Sequence, residues 1–467
     1  MGFLGVRRHR ALIGRSIGRR TTRQLRDHSS RLQAVMHSRA LRGWLPRSRK
    51  VQPLGVLGEY SETKRRLDMS DQILKVTAEE LVSSPPEEDR FQRFSLIGWW
   101  DQKRIRDAKV LVIGAGALGN EIIKNLALLG FGHLLIADLD NIENSNLSRS
   151  VLYRAKDNGS SKAEVAARSA KDIFPDMKVN FFHGNIIYDL GLGAYNWADL
   201  VIAGLDNREA RLAINRNCWK VNKPWIDGAI ELINGIARVF VPDGPCYECT
   251  MSETDWQLLN HRRSCNLLTR VEMQGGKVPT TPTISSIIAG VQCQEAVKLL
   301  HGMETIAGKG FVFNGISSDS YLIEYQKKEE CYSHDTAERI YPMQNKTTEV
   351  KIADLLSLAK QRLGNETVLE LGRDVLASLR CPECKETEKV FMSLGKAKVS
   401  LAACPKCGKN REVNTFFTIH GDEDFCEKTF AEIGVPPYDI VWARNGEHLV
   451  GFEFAGDAPC VLGELLD

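Results

Sequence analysis

Three cysteine pairs at CxxC spacing offer the most explicit chemistry in the chain: Cys246/Cys249, Cys381/Cys384 and Cys404/Cys407. Each pair supplies half of a tetrahedral site for a soft cation, and without a secretory signal core this reading outranks disulfides. CPEC (381–384) and CPKC (404–407) stand 19 residues apart, a spacing at which two knuckles close one Cys₄ zinc ribbon. The alternative, in which one of these pairs joins Cys246 and Cys249, would leave a pair orphaned. A second constellation is the turn Gly114-Ala-Gly116-Ala-Leu-Gly119. Such glycines let backbone approach a phosphate at a helix N-terminus, where unpaired N–H groups and the helix dipole favour anions. Nineteen residues after Gly119 comes Asp138, placed to take ribose hydroxyls. Those features alone fit any nucleotide, NAD included. The following residues argue for a triphosphate. Asn146 and Arg149 leave the second strand together in DLDNIENSNLSR, and Lys162 opens the next helix. Two cations near one nucleotide suit charge that builds during phosphoryl chemistry. Asp206, followed by Asn207 in GLDNR, ends a later strand and suits Mg²⁺ bridged to phosphates. Finally, Cys265 follows His261, Arg262 and Arg263, and positive neighbours favour the nucleophilic thiolate.

These residues need a scaffold that brings strand ends to one crevice, and the apolar pattern supplies it. KVLVI (109–113) leads into the glycine turn, EIIKNLALLG carries helical spacing with Gly130 as C-cap, and HLLIAD (133–138) closes a βαβ unit. Further strands are expected at 179–182, 199–203, 224–228 and 236–241, and helices at 160–173 and 206–221. The alternation predicts an α/β fold, a Rossmann-like doubly wound sheet covered on both faces. A long amphipathic helix is expected over 283–301, then a β-rich stretch over 310–326. Residues 335–349 read as a linker. The segment 350–467 reads as a small α+β zinc-ribbon module, with a hairpin signal at RNGEH.

The chain has 467 residues and a net charge of +3, but residues 1–68 hold 17 Lys and Arg against 4 Asp and Glu. This segment is expected to be a basic, disordered extension before a working body that starts near Met69; its composition also fits a transit segment or a nucleic-acid-binding arm. The modest overall charge makes nucleic acid an unexpected partner. No run of about 18 apolar residues lacks charge, so a membrane-spanning helix is not expected. With 12 cysteines and no signal core, a reducing cytoplasm is the expected compartment.

The motifs RFQRF, VLVIGAGALGNEIIKNLALLGFG, DLDNIENSNLSR, SKAE, GLDNREAR, CYEC and PTTPTISSIIAGVQCQEAVKLL resemble the ThiF/MoeB/HesA superfamily, which includes ubiquitin-activating-type enzymes. The likeness covers roughly 88–335 and implies an adenylation domain over 69–335. It implies ATP, Mg²⁺ and Zn²⁺ as cofactors and a homodimer. The implied partner is a ubiquitin-like or sulfur-carrier protein with a C-terminal glycine, with a downstream conjugating enzyme as a further candidate. By the resemblance, Gly114, Gly116, Gly119, Asp138, Asn146, Arg149, Lys162, Asn185, Asp206 and Asn207 bind nucleotide and Mg²⁺, while Arg93 reaches the partner subunit's ATP. The family's second CxxC is replaced here by Cys331-Tyr-Ser-His334, implying a Cys₃His zinc site with Cys246 and Cys249. Cys265 falls in the crossover segment that carries the family's catalytic cysteine. The implied reaction is adenylation of the carrier's C-terminal carboxylate, then a thioester on Cys265. The alternatives are adenylation for sulfur transfer without an enzyme thioester, and a non-catalytic scaffold subunit.

Overall fold

The computed structural model describes residues 89–256 and 279–466, all within one unit, Ser84–Asp467. The basic extension and Cys265 lie outside the described residues. A helix α1 (Gln102–Asp107), N-capped by Asp101, leads into β1 (Lys109–Ile113). There follow α2 (Ala117–Leu129), β2 (His133–Asp138), α3 (Lys162–Ile173), β3 (Lys178–His183), α4 (Gly193–Trp197) and β4 (Leu200–Ala203). After α5 (Arg208–Lys220) come β5 (Trp225–Glu231), β6 (Asn234–Phe240), α6 (Pro282–His301), β7 (Lys309–Asn314) and β8 (Asp319–Glu324). These strands form one eight-stranded sheet in the order β3-β2-β1-β4-β5-β6-β7-β8. The first five run parallel and the last four are joined antiparallel. Strand order reverses between β1 and β4, and in such sheets the ligand crevice opens at that point.

Strand alternation sorts the core into two layers. Val110 and Val112 point with Leu134 and Ile136 into a cluster roofed by α2, α3 and α6. Leu111 and Ile113 point the other way, with Leu135 and Ala137, against α4 and α5. Burying each of these Val, Leu and Ile side chains is worth about 1.5–3 kcal/mol. Helix starts follow their caps rather than the apolar pattern. Ser161 and Asn207 cap α3 and α5, so each begins two residues later than expected. Gly130 ends α2 in the left-handed conformation, φ 82°, which glycine adopts without a Cβ penalty.

The expected linker is not one. Residues 339–343 form β9 (Arg339–Met343), the edge strand of a second sheet, parallel to β14 (His448–Phe454). Pro342 lacks an N–H and broke the strand signal, yet proline is tolerated at a sheet edge. The second sheet also holds β10 (Val368–Arg380), β11 (Thr387–Ser393), β12 (Glu412–Ile419) and β13 (Ile440–Asn445). Its order is β11-β10-β13-β14-β9, with β12 also paired to β10. The β13–β14 hairpin turns at Gly446 (φ 58°). Helix α7 (Ile352–Leu363) covers one face, packing Leu355 and Leu356 against Val441, Val450 and Phe452. The opposite face, with Ile440 and Trp442, enters the same cluster as Leu111 and Ile113. Helix α8 (Ala458–Leu462) and Leu465 complete that cluster.

Candidate functional site

A cleft of about 680 Å³ opens at the carboxyl ends of β1, β2 and β4. Its lining includes Gly114, Gly116, Asp138, Asn146, Arg149, Lys162, Asn185, Asp206 and Asn207. Two glycines are required by geometry. Gly114 has φ 93°, and a Cβ on Gly119 would lie 1.8 Å from the Gly114 carbonyl oxygen. A Cβ on Gly116 would meet nothing within 4 Å, so this position leaves room for a phosphate to approach the α2 N-terminus. Gly119 therefore shapes the turn from behind and does not line the cleft.

The Asp138 carboxylate accepts backbone N–H bonds from Ala115 (2.7 Å) and Asp140 (2.8 Å). Burial pushes this carboxyl above the usual range, and those bonds and the Lys162 charge pull against it. Lys162 is buried, with Nζ 2.7 Å from Asp140. Asn146 accepts the Glu143 N–H at 2.9 Å, closing the turn before Arg149. Arg149 donates to the Ser145 carbonyl at 2.8 Å, and Asn185 accepts the Ile187 N–H at 2.9 Å. Asp206 is exposed at the cleft, and no described residue pairs with its carboxylate. Asn207 spends its side chain capping α5, accepting the Glu209 N–H at 2.8 Å. Arg93 does not line this cleft; it is exposed beside the short turn Phe94–Leu96.

Several residues that shape the site were not anticipated. Asn120 Nδ2 donates to the carbonyls of Ala115 (2.7 Å) and Gly116 (2.9 Å), while its Oδ1 accepts the Leu152 N–H. Tyr153 OH donates to the Ala115 carbonyl. Together they clamp the glycine turn from below. Beneath the cleft, Asp227 is fully buried between two guanidiniums, with Arg211 Nε at 2.8 Å and Arg238 Nε at 2.9 Å. Burial alone would raise this carboxyl, but Arg238 and Arg211 outweigh it and hold it below its usual range. Two cations against one anion leave net positive charge under the cleft floor. Arg211 also donates to the carbonyls of Leu205 and Gly228, fixing the loop that presents Asp206. Its signal was a cation among the inward positions of α5, beside Ala210 and Leu212.

The sulfur ligands assemble into two clusters, each with its four donor atoms within 4.8 Å of one another. In the first, Cys246 Sγ lies 3.7 Å from Cys249 Sγ and 3.5 Å from Cys331 Sγ, and Cys249 Sγ lies 3.4 Å from His334 Nε2. In the second, Cys381 Sγ lies 3.5 Å from Cys407 Sγ, and Cys404 Sγ lies 4.0 Å from Cys384 Sγ. Sulfurs placed tetrahedrally at about 2.3 Å from a zinc ion lie about 3.8 Å apart, so both donor sets fit that ion. The pairing joins Cys246 and Cys249 to Cys331 and His334, and each ribbon pair to the other. Burial raises the Cys246 and Cys331 thiols and lowers the His334 imidazole; a bound cation supplies the charge that thiolates require. Trp219 stacks on His334 at 4.3 Å between ring centroids.

A glycine turn at the switch point, a half-buried carboxylate at the end of β2 and two cations around one cleft define a nucleotide-binding α/β protein. Residues 89–333, more than half of the chain, match the model of the ThiF family, and the chain belongs to that family. It is 29% identical to a SAMP-activating enzyme E1 of Haloferax volcanii over 52% of this chain and 87% of that protein. It is 35% identical to a probable molybdopterin-synthase adenylyltransferase of Pyropia yezoensis, over 46% of this chain and 55% of the relative. A NEDD8-activating enzyme E1 catalytic subunit of Dictyostelium discoideum is 44% identical over 31% of this chain and 36% of its own length. The chain thus spans most of the first relative but little more than half, or less, of the other two. A crystal structure of E. coli MccB with ATP aligns at a TM-score of 0.45 and 22% identity, over 53% of this chain and 75% of that one. Among the described residues no helix is long and apolar enough to cross a membrane.

Proposed function

We propose that this protein activates the C-terminal carboxylate of a ubiquitin-like or sulfur-carrier protein by ATP-dependent adenylation. The observation that carries the reading is the convergence of Gly116, Asp138, Arg149, Lys162 and Asp206 on one cleft within a ThiF-family domain. Asp138 would take the ribose hydroxyls, while Arg149, Lys162 and the α2 N-terminus would neutralise the triphosphate. Asp206 would hold Mg²⁺, which supplies further charge compensation. The carrier carboxylate attacks the α-phosphorus; the bond from that phosphorus to the bridging oxygen breaks, and pyrophosphate leaves with its electron pair. Positioning and charge neutralisation suffice, since the attacking carboxylate is already ionised at neutral pH.

Cys265 then attacks the acyl-adenylate as a thiolate, releasing AMP and leaving the carrier as a thioester. The Cys₃His and Cys₄ clusters hold structural zinc, the second as a ribbon within the α+β module. Arg93 acts across a homodimer on the partner subunit's nucleotide, and the cytoplasm is the working compartment. A conjugating enzyme would accept the thioester. A second reading, adenylation for sulfur transfer without an enzyme thioester, is favoured by the name of the Pyropia yezoensis relative.

ATP–pyrophosphate exchange, measured with candidate ubiquitin-like and sulfur-carrier proteins ending in glycine, tests the reading. Exchange should appear only with the cognate carrier. Absence of exchange with every carrier would refute adenylation. A carrier adduct that survives denaturation and is cleaved by thiol would select the thioester route, and exchange without it the sulfur-transfer route.

A further inference from the structure

The nucleotide cleft and the α+β module meet in one loop, the connection from β3 to α4. Its first half, Gly184 to Ile187, lines the cleft. Its second half is held by the module. Arg373 of β10 donates to the Tyr188 carbonyl at 2.9 Å and to Asp439 at 2.7 Å. Asp439 in turn accepts the Leu192 N–H at 2.8 Å, and the Tyr438 carbonyl accepts the Gly193 N–H at 2.8 Å. The fit is close: a Cβ on Gly191 would lie 2.4 Å from the carbonyl oxygens of Pro437 and Tyr438. One more link reaches the cleft itself. Lys396 Nζ, between β11 and the second cysteine knuckle, lies 2.5 Å from one oxygen of Asp189. The other oxygen of Asp189 accepts the Asn185 N–H at 2.9 Å.

We propose that Lys396 and Arg373 are positioning residues for nucleotide binding, so that the module outside the family domain sets the conformation of the Asn185 loop. This rests on the adenylation reading above. Within the loop, the Asn185 carbonyl accepts the Tyr188 and Asp189 N–H groups and its Oδ1 accepts the Ile187 N–H, so Asn185 is the pivot of the turn. Lys396 and Arg373 fix that turn from outside, through Asp189 and through Tyr188 and Leu192. The Lys396–Asp189 pair is partly exposed, with side chains 43% and 32% accessible. Pairs of this kind contribute little to global stability, so its loss acts on the loop rather than on the fold. Two sites coupled through one segment in this way exchange factors of about five or more in affinity.

The test is calorimetric titration of the full zinc-loaded chain with Mg·ATP. Lys396→Met should raise the Kd about fivefold, with melting temperature and zinc content unchanged, and Lys396→Arg should keep the wild-type value. Arg373→Met should raise it further; if that variant fails to fold, Lys396→Met decides alone. Lys389→Met, which removes a ribbon-side ion pair with Asp424, should leave the Kd unchanged. A wild-type Kd in Lys396→Met, or an equal loss in Lys389→Met, overturns the proposal. Wild-type protein that does not bind Mg·ATP overturns the adenylation reading, and this proposal with it.

Discussion

Replacing Asp227 with Asn tests the charge arrangement under the cleft without changing its volume. In the wild type, each carboxylate oxygen faces a guanidinium, Arg211 at 2.8 Å and Arg238 at 2.9 Å, and the carboxylate is fully buried. The amide keeps one acceptor but turns an NH₂ toward a donor and leaves the buried Arg211 and the half-buried Arg238 uncompensated. Breaking a buried ion pair in this way costs about 3–5 kcal/mol. For a chain of this size the urea midpoint should fall by several tenths of a molar to about 1 M. The pH dependence has a definite sign. The Asp227 carboxyl is held below its usual range in the folded state, so its contribution is complete above the unfolded pKa of about 3.9. It is lost as pH falls through the lower, folded pKa. The wild-type advantage should stay constant from pH 7 to pH 5 and close below about pH 4. Since Arg211 also holds the Leu205 carbonyl beside Asp206, pyrophosphate exchange should fall too. Equal urea midpoints at pH 7, or a gap that widens on acidification, would refute the argument.

Asp206→Ala should abolish pyrophosphate exchange while leaving the melting temperature unchanged, because its exposed carboxylate supports no described contact. Arg149→Ala should slow exchange by about 10²-fold or more, the scale of removing one electrostatic stabiliser. Cys246→Ser and Cys381→Ser should each cost one zinc equivalent by elemental analysis, and a wild-type content of one zinc would contradict two sites. Cys265→Ala should keep exchange and lose the thiol-cleavable carrier adduct; an adduct that persists would place the nucleophile on another cysteine.

The parallel half of the sheet was legible because buried strands such as KVLVI and HLLIAD are short apolar runs bounded by turn residues. The glycine turn was legible because only glycine fits its geometry at Gly114 and Gly119. The two sulfur clusters were legible from spacing once Cys331 and His334 were paired through the family resemblance. Strand β9 was hidden by Pro342. The Arg211–Asp227–Arg238 group was hidden for a different reason: its members are 16 and 11 residues apart in pairing, on a helix and two strands, and only tertiary packing reveals that their charges are buried. The grip of Arg373 and Lys396 on the Asn185 loop joins residues about 200 positions apart, which no local pattern encodes.

The sharing of one hydrophobic cluster between Leu111, Ile113 and Tyr195 on one side and Trp442, Leu462 and Leu465 on the other has a consequence for synthesis. The central strands emerge from the ribosome long before the C-terminal part of their cover. At about 5–20 residues per second, the interval between Phe240 and Leu465 is roughly 10–45 s. Throughout that time one face of the newborn sheet has only α4 and α5 against it and lacks Trp442, Leu462 and Leu465, and exposed strand surface of this kind is prone to aggregate. A stalled or prematurely terminated chain would keep that face partly uncovered indefinitely, marking it for holding chaperones or proteolysis even though Gly116, Asp138, Arg149, Lys162 and Asp206 of its nucleotide cleft had already been made.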